Sequence, residues 1–152
     1  MADESALLQK INADLINAMK SKHELKVSTL RMIKSAIKYK EVDLKRAIRD
    51  EEVIDVLTHM AKQHRESIHE FEKGGRLDSS EKEKAELALI ETYLPESLPE
   101  DEVIRLIEEA IQVNQAMTLK DMGKVMAWLT PKVKGRVSDL SQVSSRVRSK
   151  LS

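Results

Sequence analysis

Two prolines four residues apart, in the run Leu94-Pro-Glu-Ser-Leu-Pro99, limit what this chain can build. Each proline lacks a backbone N–H and pushes the residue before it out of helical geometry. No helix passes through such a stretch, and an extended connection is expected. On both sides of it, apolar residues recur at three- and four-residue steps. The prolines therefore divide the chain into residues 1–95, an N-terminal helical bundle, and residues 96–152, a small three-helix C-terminal domain.

Periodicity predicts the helices. Leu7, Leu8, Ile11, Leu15 and Met19 share a face over residues 3–21, and Leu30, Ile33, Ile37 and Leu44 share one over residues 24–46. Asp50 is placed to cap a third helix reaching residue 73, in which Val53, Leu57, Met60, His64, Ile68 and Phe71 form a bundle seam. Gly74-Gly75 ends it, and Ser80 with Glu83 has capping-box spacing for a fourth helix carrying Leu87, Ile90 and Leu94. Further helices are expected over residues 100–113, 119–130 and 139–151, the last with a Leu140, Val143, Val147, Leu151 stripe. No alternating strand pattern competes, so the fold class is all-α.

Lys/Arg and Asp/Glu balance at 26 each, but the charges are segregated. Residues 20–49 carry ten basic groups against three acidic, residues 50–109 seven against eighteen, and residues 110–152 eight against two. Blocks of this size govern partner choice more than the zero total does. The aromatics are Tyr39, Phe71, Tyr93 and Trp128. That is few for a base-stacking platform, so a bound nucleic acid would be held through its backbone and shape.

Several function classes drop out. The chain has no cysteine, which excludes disulfides, thiolate zinc sites and cysteine nucleophiles. No apolar run approaches ~18 residues, so no membrane span or membrane partner is expected. The start, Met-Ala-Asp-Glu-Ser, is acidic and lacks the pattern of a signal or transit peptide, which points to a cytoplasmic location.

The histidines His59, His64 and His69 are five apart, which turns each about 140° from the last on a helix. Glu66-x-x-His69 has the spacing of a di-iron helix, but no second copy exists. No metal is expected, and His64 reads as a packed residue of the seam. Gly74, Gly75, Gly123 and Gly135 form no phosphate cradle. Glu70 and Glu72 near Arg76, or Glu91 near Tyr93, read as exposed charge. No catalytic residue and no cofactor are assigned.

One stretch remains, residues 117–137. Thr118 and Asp121 make an N-cap pair, and Met122, Val125, Met126 and Leu129 line one face of the helix that follows. Gly123 inside that helix predicts close packing, and Pro131 predicts an end or kink at Thr130. Beyond it lies the basic turn Lys132-Val-Lys-Gly-Arg136. Lys120 and Lys124 are helical neighbours, and with Lys132, Lys134 and Arg136 they are positioned to face one polyanion.

This stretch, "KDMGKVMAWLTPKVKGR" over residues 120–136, resembles the signature of the GatB/YqeY family. "LRMIKSAIKYKEVDL" (30–44), "DEEVIDVL" (50–57), "ESIHEFEKGGR" (66–76) and "ETYLPESLPEDEV" (91–103) carry the resemblance through nearly the whole chain. After Arg136 the chain departs from it, reading Val137-Ser138-Asp139 where the family has a glycine-containing turn. Family members are similar to the tail domain of the tRNA-dependent amidotransferase B subunit, a helical unit that helps hold tRNA. The resemblance implies a tRNA-binding accessory to aminoacyl-tRNA amidation or translation, with a protein partner there and without its own catalytic site. Lys120, Lys124, Lys132, Lys134 and Arg136 correspond to the basic helix and turn of the motif, and Gly123, Pro131 and Gly135 to its structural positions. One alternative is a protein–protein adaptor that docks through the acidic residues of 50–109. A weaker one is carbon–nitrogen ligase activity with glutamine as amido-N-donor, exerted only within a complex.

Overall fold

The computed structural model describes residues 5–152, and every regular element among them is helical. There are seven α-helices: α1 (Ala6–Lys20), α2 (Glu24–Leu44), α3 (Asp50–Lys73), α4 (Leu77–Glu91), α5 (Glu100–Val113), α6 (Met122–Val133) and α7 (Leu140–Leu151). One 3₁₀ turn, Leu119–Asp121, precedes α6. The chain falls into two compact units, one ending at Pro95 and the other spanning Glu96–Ser152.

In the first unit the stripes of α1 to α4 close on a core of Ile11, Leu15, Leu30, Ile33, Ile37, Val53, Leu57 and Ile90. Ile48, between α2 and α3, drops into the same core and its N–H is held by the Glu41 carboxylate at 3.2 Å. That descent is why α2 stops at Leu44, short of the expected residue 46. Lys45 turns left-handed (φ 55°) to redirect the chain. α3 and α4 pair most extensively, as a hairpin closed at Gly74-Gly75. Gly75 has φ 73°, a conformation that costs a side-chain-bearing residue more than glycine. The Arg76 N–H then reaches back to the Phe71 carbonyl at 2.8 Å, closing the helix end.

Two expected caps act elsewhere. Asp50 is the first residue of α3 rather than its cap, and its carboxylate serves α1 instead, accepting from the Leu7 N–H (3.2 Å) and the Ser5 hydroxyl. Ser5 in turn accepts from the Leu8 N–H at 3.0 Å, so α1 starts at Ala6; residue 3 lies outside the described residues. The Ser80–Glu83 box is also not used. α4 begins three residues earlier at Leu77, because the hairpin turn is so short, and the Ser80 side chain is buried in its first turn. The cap of α3 is built by Glu52, which accepts from the Arg49 N–H at 3.0 Å and takes both Arg46 guanidinium donors at 2.8 and 2.7 Å.

In the second unit α5, α6 and α7 bury Val103, Leu106, Ile107, Ala110, Val125, Leu129, Val133, Val143 and Val147. Pro131 lies inside α6, which continues to Val133. This close to the helix end, proline forfeits one ladder bond and the last turn survives, so the expected break at Thr130 comes later. Gly123 is exposed, and a methyl group added there would meet nothing within 4 Å. The close-packing role expected of it is therefore wrong.

Two outcomes follow. Gly123→Ala should raise stability by about 0.4–1 kcal/mol through the unfolded chain's lost freedom, read as a higher Tm. The Arg46 guanidinium, then the Arg49 N–H, hold the Glu52 carboxyl at about 2 against an ordinary 4.5. A lowered carboxylate stabilises the fold above its unfolded value and loses that contribution on acidification. The stability gap between wild type and Glu52→Gln should hold at neutral pH, shrink below about 4.5 and close near 2.

Candidate functional site

The basic stretch of the second unit is built around α6. Thr118 is extended (φ −137°) and caps the 3₁₀ turn, while the Asp121 carboxylate accepts from the Met117 N–H at 2.8 Å and the Thr118 N–H at 3.3 Å. Those two backbone donors hold the Asp121 carboxyl below the usual range. The pair expected to cap the helix thus forms a capping box on the 3₁₀ turn that leads into α6. Lys120 and Lys124 project from this end, both exposed.

One helical turn apart, Lys124, Trp128 and Lys132 follow at i, i+4 and i+8 on one side of α6. The Lys132 ammonium lies 4.0 Å from the Trp128 ring centroid, a cation–π contact. From Lys120 to Lys132 the track is roughly 18 Å long at the helical rise per residue. The other basic groups of this unit are differently placed. Arg146 of α7 pairs with Glu100 and Lys150 with Glu108 at 3.4 Å, both carboxylates on α5. Lys124 instead has the Asp121 carboxylate of the preceding turn near it.

The turn after α6 separates the remaining predicted residues. Gly135 has φ 75° and reverses the chain. Lys134 caps the helix end and is half-buried. Arg136 is committed to the backbone of the segment leading into α5. Its Nε donates to the Glu96 carbonyl at 2.9 Å, and its own carbonyl accepts from the Leu98 N–H at 2.8 Å. Of the five predicted cations, the structure places Lys124 and Lys132 on α6, Lys120 in the 3₁₀ turn before it and Lys134 at the helix end, and assigns Arg136 to holding the loop. The departure from the family motif at residues 137–139 resolves simply, because the Asp139 carboxylate caps α7 by accepting from the Ser141 N–H at 2.9 Å.

In the first unit, Arg31, Lys34 and Lys38 are exposed on α2 beside Tyr39, which is 77% exposed. The sequence held that signal: Tyr39 is two residues past buried Ile37, about 200° around the helix. A cavity of about 390 Å³ is lined by residues including Asp14, Lys26 and Tyr93. There the Tyr93 hydroxyl donates to the Asp14 carboxylate at 2.5 Å, and burial followed by that bond pushes the phenol upward. Glu91, the sequence neighbour considered for Tyr93, lies instead 3.8 Å from Arg65.

With this geometry in hand, a family model described as YqeY-like protein matches residues 8–151. The chain belongs to the YqeY-like family. Three curated relatives share the name "Altered inheritance of mitochondria protein 41, mitochondrial". The one from Pyrenophora tritici-repentis is 29% identical over 147 residues, covering 95% of this chain and 81% of the relative. That from Lachancea thermotolerans is 35% identical across 83% of this chain and 70% of the relative. A third, from Vanderwaltozyma polyspora, is 31% identical across 92% and 79%. These names overturn the cytoplasmic expectation, which rested on the acidic start and the lack of a long apolar run. No described helix is long and apolar enough to cross a membrane.

The Arg136 clasp separates structure from ligand contact. Arg136→Ala should cost about 1 kcal/mol or less, the net worth of an exposed hydrogen bond that ties the turn to the Glu96 carbonyl. Lys124→Ala should leave the Tm unchanged within about 1 °C, since surface substitutions away from such features stay near neutral.

Proposed function

We propose that this YqeY-like chain is an RNA-binding accessory protein whose ligand is tRNA, with residues 96–152 acting as a tail-like domain. The observation that carries the reading is a track running from Lys120 in the 3₁₀ turn to Lys124 and Lys132 on α6, with Trp128 between the last two. A row of ammonium groups on a rigid helix suits a phosphate backbone, which supplies affinity without reading sequence. The half-buried indole beside Lys132 adds a flat apolar contact next to the charge. Arg136 supports the track by fixing the turn rather than by touching RNA. The choice of tRNA over other RNA comes from the resemblance to the amidotransferase tail, and accessory work in aminoacyl-tRNA amidation or translation follows from it.

A second reading, a protein adaptor, has its own observation. Val113, Met117 and Leu119 are exposed around the start of the same 3₁₀ turn, Met117 to 83%. Apolar groups so placed suit a protein surface.

Binding to total tRNA across a salt series, with unstructured RNA of equal length as competitor, tests the proposal. Wild type should prefer tRNA and lose affinity with salt. Lys120→Glu with Lys124→Glu should reduce the log–log slope by about 1.4 to 1.8, from ~0.7–0.9 per phosphate contact, at unchanged Tm. Equal affinity and slope in the double variant would remove the α6 track from the reading, leaving the exposed apolar cluster as the surface to pursue.

A further inference from the structure

We propose that His64, Glu83 and Glu86 form a site for one divalent metal ion of the zinc class, held between α3 and α4. This site lies in the first unit and is independent of the RNA reading.

His64 is 9% exposed, and its ring is already oriented. Nδ1 lies 2.9 Å from the Met60 carbonyl oxygen, an acceptor only, so Nδ1 carries a hydrogen and Nε2 is the nitrogen left to bind an ion through its lone pair. That lone pair faces Glu83 Oε2 at 3.2 Å and Glu86 Oε1 at 3.5 Å. All three ligand atoms lie within 4.8 Å of one another. Glu86 is only 6% exposed, which makes its charge expensive without a cation. Three electron-rich atoms thus converge in a protected place.

A proton on Nε2 would relieve the repulsion only in part. Nε2 is buried and makes no hydrogen bond, although both carboxylate oxygens lie close to it. Tetrahedral zinc with bonds of 2.0–2.1 Å separates its ligands by about 3.3 Å, and the observed 3.2 and 3.5 Å bracket that edge. The Nδ1–H to carbonyl bond is also the usual way a ligating imidazole is oriented through its second nitrogen. One nitrogen with two carboxylates favours zinc-class ions over calcium or magnesium, which take oxygen throughout. Three protein ligands leave a fourth position, and partly exposed Glu83 gives water access to it.

The test uses the full chain, stripped with chelator and titrated with Zn²⁺ alone, followed by calorimetry and by Tm. One zinc per chain is expected, with a Tm that climbs as free zinc rises. Glu83→Gln and Glu86→Gln should each weaken binding more than about tenfold. His59→Ala with His69→Ala, which removes two exposed imidazoles on the same helix, should leave affinity unchanged. His64→Gln should abolish binding; should that variant misfold, the partly exposed Glu83→Gln still decides. No saturable binding, or zinc affinity in both glutamine variants equal to wild type, would overturn the site and leave a histidine–carboxylate ion pair joining two helices.

Discussion

The hairpin of α3 and α4 is the constraint on which the first unit depends. Its turn is confined to Gly74, Gly75 and Arg76, and Gly75 adopts a left-handed conformation that fixes how α4 leaves. So short a connection leaves α4 little freedom to slide along α3. That register buries Ile90 against the core and sets Glu83 and Glu86 beside His64. A longer turn would let the two helices slip by a turn, about 5.4 Å, and the cluster would come apart before the apolar packing did.

Much of the helical architecture was legible because burial writes itself into spacing. The stripes of α3 and α7, the glycine pair and the Thr118–Asp121 box each depend on residues close in sequence. The errors arose where the surroundings of a residue, and not its type, decided its role. Asp50 looked like the cap of its own helix, yet the α1 terminus was within reach. Ser80 fell inside a helix because the turn before it was shorter than capping would require. Gly123 gave no clue that its surroundings were open solvent.

The candidate site was legible in kind and not in division of labour. Composition marked the basic stretch, but nothing in it distinguished Arg136, whose partners are backbone carbonyl and amide groups of residues 96–98, from the lysines on α6. Main-chain partners carry no residue-type signature. The grouping of His64 with Glu83 and Glu86 was not legible for a related reason. A search along one helix compares His64 with His59 and His69, whereas its partners stand across the hairpin. His64 is ten residues before Gly74, and Glu83 and Glu86 are eight and eleven beyond Gly75. Reflecting the sequence through the glycine pair brings the three level.

Asp50 has a kinetic consequence. The first turn of α1 relies on a carboxylate more than forty positions downstream, so that helix end is completed only once α3 has docked. Local opening at the start of α1 is therefore tied to a long-range contact rather than to ordinary fraying. The exchange rate of the Leu7 amide with solvent deuterium reports the closing of the whole bundle, as a terminal amide rarely does.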